Sequence, residues 1–131
     1  EALAELIDVY PTLCELVGIP VPDHVEGTSL VPVMEDPKTR VKDAAYFWYP
    51  VRNGRHGFSI RTDRYRYTEW RRANTRALVG VELYDHETDP LENVNIALRP
   101  ENAELTATLS QKLAEGWKDV LGGSGGVPGI R

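Results

Sequence analysis

Two stretches of this 131-residue chain gather side chains able to do chemistry. Residues 82–97 read ELYDHETDPLENVNIA and crowd four carboxylates together, Asp85, Glu87, Asp89 and Glu92, with His86 among them. Alternating acids can hold a hard cation through oxygen, as a calcium loop does. Here the spacing fails, because Pro90 stands where such a loop needs glycine and no glutamate follows at the closing position. A turn fits better: Asp89 as N-cap, Pro90 as first helical residue and Glu92 as the reciprocal partner of a capping box. The second stretch is basic. From Arg52 to Arg76 eight arginines face only Asp63 and Glu69, a formal +6 in a chain of net charge −5, so the remainder carries −11.

Within the basic stretch, RNGRHG (52–57) holds Arg52, Arg55 and His56 just after Trp48 and Tyr49. The planar fork of arginine suits sulfate or carboxylate, and an aromatic ring can stack on a sugar. These five residues are the candidate substrate-facing set. The plainer expectation makes Trp48 and Tyr49 ordinary strand residues and the arginines a solvated loop, although loops carry function more often than strands. Arg61, Arg64 and Arg66 alternate with aromatics, a pattern also found on single-stranded nucleic-acid platforms. The acidic total argues against that partner. Arg61 and Arg66 are equally explained as the polar side of a half-buried sheet, paired with Glu69 or Glu82.

Other groups offer less. The three histidines have no zinc-ligand spacing; His24 reads as a surface loop residue and His86 as structural or solvent-facing. The single cysteine, Cys14, permits no intrachain disulfide and no cysteine-rich metal site, and nothing basic adjoins it to activate its thiol. No apolar run approaches the ~18 residues of a membrane span. The chain opens on EALAELIDVYP without a methionine, which suggests a piece of a longer protein.

The elements that must position these groups follow from periodicity. Asp8 can cap a helix over about 9–17, with Val9, Leu13, Leu16 and Val17 as its apolar stripe and Gly18 as its stop. Residues 19–38 are turn-rich, with one short helical turn at Ser29–Met34. From Ala44 the pattern changes to strands: AAYFWYPV, FSIRT, YRYTEW and VELYD, the middle two joined as an antiparallel hairpin at Asp63-Arg64. Leu83 should face the core. Leu105, Leu109, Leu113, Trp117 and Val120/Leu121 recur at helical spacing, predicting an amphipathic helix from about Glu101 to Leu121 laid on the sheet. Gly122 and Gly123 end it, and residues 122–131 should form a flexible Gly-rich tail. Strands followed by a covering helix give an α+β class.

Three segments resemble a known family. DVYPTLCELVGIPVPDHVEGTSLVPVM is similar to the segment that closes the large domain of type I sulfatases, in the alkaline-phosphatase-like superfamily. GFSIRTDRYRYTEW resembles the iduronate-2-sulfatase-like branch, and ELYDHETDPLENVNIA the ELYDL-x-x-DP-x-E-x-x-N segment near the sulfatase C-terminus. Order and spacing agree for all three. The resemblance implies that residues 1–40 are the end of the large α/β domain and that 41–121 form the C-terminal sulfatase subdomain, a small antiparallel sheet with a long C-terminal helix. It implies sulfate-ester hydrolysis, with a formylglycine nucleophile and a divalent metal, usually Ca²⁺. No C/S-x-P-S-R motif, the source of formylglycine, occurs here, so no catalytic and no metal residue is carried onto this chain, and alone it should be inactive. The implied partners are a missing N-terminal catalytic domain and a sulfated sugar, with neither nucleic acid nor membrane. By resemblance the compartment is periplasmic, extracellular or lysosomal. A dimer through the apolar face of residues 1–35 is a further expectation. The rival function is a free-standing module that binds anionic glycans without catalysis.

Overall fold

A computed structural model describes residues 2–52 and 54–116. They divide into two compact units: residues 2–45 with 61–63, and residues 46–52 and 54–60 with 64–116. The predicted continuation of the last helix through Trp117, Val120 and Leu121, and the Gly-rich tail, lie outside the described residues.

In the first unit a 3₁₀ turn, Leu6–Asp8, runs directly into helix α1, Val9–Leu16, and a second short helix, α2, covers Val31–Glu35. Gly18 takes φ +71 after α1, and the Ile19 N–H closes on the Cys14 carbonyl at 2.9 Å. That left-handed residue is what lets the last turn satisfy its carbonyls. Asp8 does not cap α1. Because the 3₁₀ turn feeds straight into the helix, Asp8 is itself helical (φ −76, ψ −19) and its carboxylate makes no capping bond to α1. It is fully buried instead. It accepts from the Thr28 N–H (2.9 Å), the Glu5 N–H (2.7 Å) and the Lys42 ammonium. Thr12 extends the seam: its hydroxyl donates to the Asp8 carbonyl (2.6 Å) and accepts from the Leu30 N–H (2.9 Å). Gly27 lies against the Ile7 backbone so closely that a Cβ there would stand 2.0 Å from the Ile7 carbonyl oxygen.

The second unit holds most of a four-stranded antiparallel sheet in the order β1-β2-β3-β4, with β1 Ala45–Val51, β2 Arg55–Arg61, β3 Tyr65–Arg72 and β4 Leu78–Asp85. β3 and β4 pair Tyr65 with Asp85, Tyr67 with Leu83 and Thr68 with Glu82, and the register shifts between Trp70 and Arg71. Helix α3, Ala103–Gly116, follows a 3₁₀ turn at Pro100–Asn102. Side chains two apart on a strand share a face. The inner face supplies Phe58, Ile60, Tyr67 and Leu83, which with Leu109 and Leu113 of α3 make the core. This is the α+β arrangement that the periodicity predicts.

Burial departs from strict alternation on β3, where Tyr67, Thr68 and Glu69 are all buried. The outward side is closed by the Thr68 hydroxyl on Ser59 (2.9 Å), and the Trp70 indole donates to Glu82 (2.9 Å). On the inner side Glu69 accepts from Tyr67 Oη (3.0 Å), Ser110 Oγ of α3 (2.6 Å) and the Arg71 guanidinium (2.7 Å). A buried carboxylate persists only when paired and hydrogen-bonded in this way. Burial, with the Glu69 charge next in effect, pushes the Tyr67 hydroxyl up to about 12.

Candidate functional site

The carboxylate stretch is held by arginines and by backbone N–H groups. Arg64 forks onto Asp85 at 2.9 and 2.7 Å and reaches Glu87 at 2.7 Å. Its guanidinium holds Asp85 below the ordinary carboxylate range. Asp89 closes a turn by accepting from the Asn93 side-chain amide (2.8 Å) and the Val94 N–H (2.8 Å), and the backbone N–H groups of Asn93 and Val94 hold it below the ordinary carboxylate range. The predicted helical turn after Pro90 is a plain turn. Glu92, at φ +57, forms no capping box and meets Arg66 (3.0 Å) and His86 (2.6 Å). The pairs predicted for Arg66, with Glu69 or Glu82, are therefore replaced by Glu92, 26 residues along the chain. The partner lies far along the chain because the loop after β4 folds back along β4, where the Ile96 N–H donates to the Leu83 carbonyl at 2.9 Å. Asn95 completes the fold-back with its side chain, accepting from the Leu83 N–H and donating to the Val81 carbonyl, both at 3.0 Å. Among the described residues no group of three or more His, Cys, Asp or Glu side chains could hold a metal ion.

The basic stretch folds differently from its expected loop. β2 begins at Arg55, so Arg55 and His56 lie on a strand, Arg52 and Gly54 stay in the turn before it, and Asn53 lies outside the described residues. Arg52 and Arg55 are exposed; Trp48 and His56 are half-buried. Trp48 and Tyr49 are neighbours on β1 and so point to opposite faces. Tyr49 is 52% exposed and stacks beside Phe47, ring centroids 6.3 Å apart. The five candidate side chains therefore do not converge. Trp48 and His56 come together on the inner face, ring centroids 5.3 Å apart and edge-on, while Tyr49 stands on the other.

One residue that the sequence left unmarked joins them. In a meander the β1–β2 and β3–β4 connections fall at the same end of the sheet, and here they touch: the Ala73 N–H donates to the Gly54 carbonyl at 2.9 Å. Arg76, in the β3–β4 connection, takes φ +59. Its guanidinium lies over the Phe58 ring, 5.8 Å from the centroid. Burial first, and the Arg76 charge second, hold His56 below its ordinary pKa. Trp48 Nε1, His56 Nδ1 and an Arg76 guanidinium nitrogen are enclosed without a hydrogen-bond partner. The density of arginine over 52–76 was the available signal; which tip residue turns inward was not. A cleft of about 290 Å³ in the first unit, lined in part by Leu3, Pro37, Arg40, Lys42 and Asp63, includes none of the candidates.

Comparison with known proteins adds the lineage. Residues 1–119 match the family model described as N-sulphoglucosamine sulphohydrolase, C-terminal. The chain is 35% identical over 109 residues to a Delta 4,5-hexuronate-2-O-sulfatase of Bacteroides thetaiotaomicron, covering 77% of this chain and 21% of that protein. It is 30% identical to arylsulfatase K of Homo sapiens, covering 85% of this chain and 21% of the relative. A solved structure of a protein in complex with its substrate D-glucosamine-2-N,6-O-disulfate superposes with a TM-score of 0.71 at 29% identity, over 85% of this chain and 23% of that one. The chain thus spans about a fifth of the length of the relatives it matches.

Proposed function

The chain belongs to the family of N-sulphoglucosamine sulphohydrolase C-terminal domains, and from that premise we propose that it is the C-terminal part of a sulfatase hydrolysing sulfate esters of sulfated sugars. The observation that carries the reading is the family match over residues 1–119, which takes in α1, the whole sheet and α3. In this reading formylglycine and Ca²⁺ belong to the part of the protein outside this chain. The described residues do not fit the implied calcium site, since Asp85, Glu87 and Glu92 are engaged by arginines and Asp89 by a turn. The chain serves as scaffold, and its arginine-rich sheet end, with Arg52, Arg55, His56 and Trp48, faces the anionic substrate. Tyr49 serves on the opposite face or not at all.

Sulfate release tests the proposal. The longer protein should free sulfate from a 2-O-sulfated hexuronate or a 6-O-sulfated glucosamine, while residues 1–131 alone should free none. Turnover by the isolated chain would overturn its non-catalytic role. Tight, salt-sensitive binding of sulfated glycan by the longer protein without turnover would favour the rival reading, a binding module, which the basic sheet end also supports. Relatives of this kind make a periplasmic, extracellular or lysosomal setting part of the proposal; no described helix is long and apolar enough to cross a membrane.

The first unit bears on the missing partner. Leu6, Val9, Leu13, Leu16 and Val17 are 90%, 48%, 54%, 55% and 66% exposed, although the helical stripe they form is apolar. α1 buries Pro11, Thr12 and Cys14 instead. Contiguous apolar surface of this kind marks an interface. We assign it to the remaining four-fifths of the longer protein. In isolation a second copy should cover it, so the chain is expected to sediment as a concentration-dependent dimer that Leu13→Lys with Val17→Lys converts to monomer. A monomer at every concentration would count against the assignment.

A further inference from the structure

The three enclosed nitrogens of the second unit point to a ligand chemistry. A buried donor without an acceptor is costly, and native structures leave few of them unexplained. Here three occur on neighbouring residues: the Trp48 ring of β1 and the His56 ring of β2 are 5.3 Å apart, and Arg76 of the β3–β4 connection lies over Phe58, whose ring is 6.3 Å from that of His56. Arg71, which donates to the Arg76 carbonyl at 2.9 Å, is itself paired with Glu69. Among the described residues Arg76 forms no ion pair, and its backbone occupies the left-handed region that a side chain adopts only under constraint. All three residues are half-buried and so keep a side toward solvent.

We infer that Trp48, His56 and Arg76 form the seat of one anionic group, a sulfate or carboxylate carried by a sugar, with Arg76 supplying charge and the two rings supplying N–H donors. Indole Nε1 can only donate, and His56 donates from Nδ1 in the tautomer that an oxygen acceptor selects. The sugar rests on the function proposed above; the anion seat does not. Arg76 thereby becomes a specificity residue for a substrate that carries a second anionic group. The seat combines two hairpin tips, not the single loop 52–57.

Two-dimensional NMR of the 131-residue chain tests this with inorganic sulfate, glucuronate and glucose as probes. Sulfate or glucuronate should shift the Trp48 indole N–H and the His56 ring signals, and the two arms show which anion is preferred. Glucose should move neither. The Trp70 indole, bonded to Glu82 at 2.9 Å, is the internal control. Arg76→Gly fits φ +59 and removes the guanidinium; it should weaken the anion by about tenfold or more. Arg76→Lys, which keeps charge and loses the fork, should fall between. Absence of any anion-induced shift overturns the inference, as does a shift that persists undiminished in Arg76→Gly or one that Trp70 shares. Anion shifts without sulfatase activity in the longer protein would sink the proposed function and leave the seat standing. Activity without the shifts would do the reverse.

Discussion

Replacing Asp8 by alanine is expected to cost the first unit about 3–5 kcal/mol, the range for removing one partner of a buried ion pair. Asp8 is 0% exposed, and Lys42 and Glu5 beside it have side chains only 11% and 14% exposed. Its carboxylate answers two backbone N–H groups and an ammonium, from residues 3, 20 and 34 positions away. Without it Lys42 retains only Glu5, at 2.7 Å, and the Thr28 N–H is left without its acceptor. Amide exchange at Leu30, whose N–H bonds to Thr12 Oγ1, should quicken by about a hundredfold or more. Unchanged protection there would show that the seam does not depend on the charge. Asp8→Ala with Lys42→Met should recover part of the loss, because no uncompensated charge then stays buried.

The same pair sets a pH window. Burial alone would raise Asp8, but the Lys42 ammonium and the N–H groups of Thr28 and Glu5 outweigh it, so its folded pKa lies below 3.8. Its contribution is therefore complete above the unfolded value and is lost as pH falls through the lower folded one. Burial would lower Lys42, but bonding to Asp8 and Glu5 raises it above 10.5, so its contribution is complete below that value and fades as pH rises through the folded one. Between those limits the pair is at full strength. In Asp8→Ala the acid limb of the stability profile should flatten.

Gly27→Ala should be comparably severe for a different reason. No dihedral demands glycine there; space does. The added methyl would lie 2.0 Å from the Ile7 carbonyl oxygen and 2.6 Å from its carbon, and both are backbone atoms that cannot swing aside. Segment 27–30 would have to lift from the turn at Leu6–Asp8, and the Thr28 N–H would leave Asp8. A loss of about 3 kcal/mol or more is expected, at the upper end for overpacking. Gly18→Ala is the contrast: its Cβ would meet nothing within 4 Å, so only the strain of φ +71 remains, about 1–2 kcal/mol. Since Gly27→Ala and Asp8→Ala break one seam, their combined cost should fall short of the sum. Equal melting of Gly27→Ala and Gly18→Ala would refute the close approach.

The residues of one element at a time were enough to determine much of this protein. Period-two alternation in FSIRT and YRYTEW and the Leu109–Leu113 spacing fixed which faces meet, because burying one face of a strand or helix is a local pattern problem. GFSIRTDRYRYTEW and its two companion segments, in order, were enough to mark the sulfatase lineage. The tertiary structure decided who partners whom. Asp8 has the sequence of an N-cap and the position of a buried hub, because Thr28 and Lys42 arrive from far along the chain. Arg66 passes over Glu69 and Glu82 for Glu92, because the loop after β4 turns back. Arg76 reads as one more loop arginine until two hairpin tips meet and turn it toward His56. A polar side chain bonds to whatever the fold brings within about 3 Å, and no short-range pattern records which distant segment that will be.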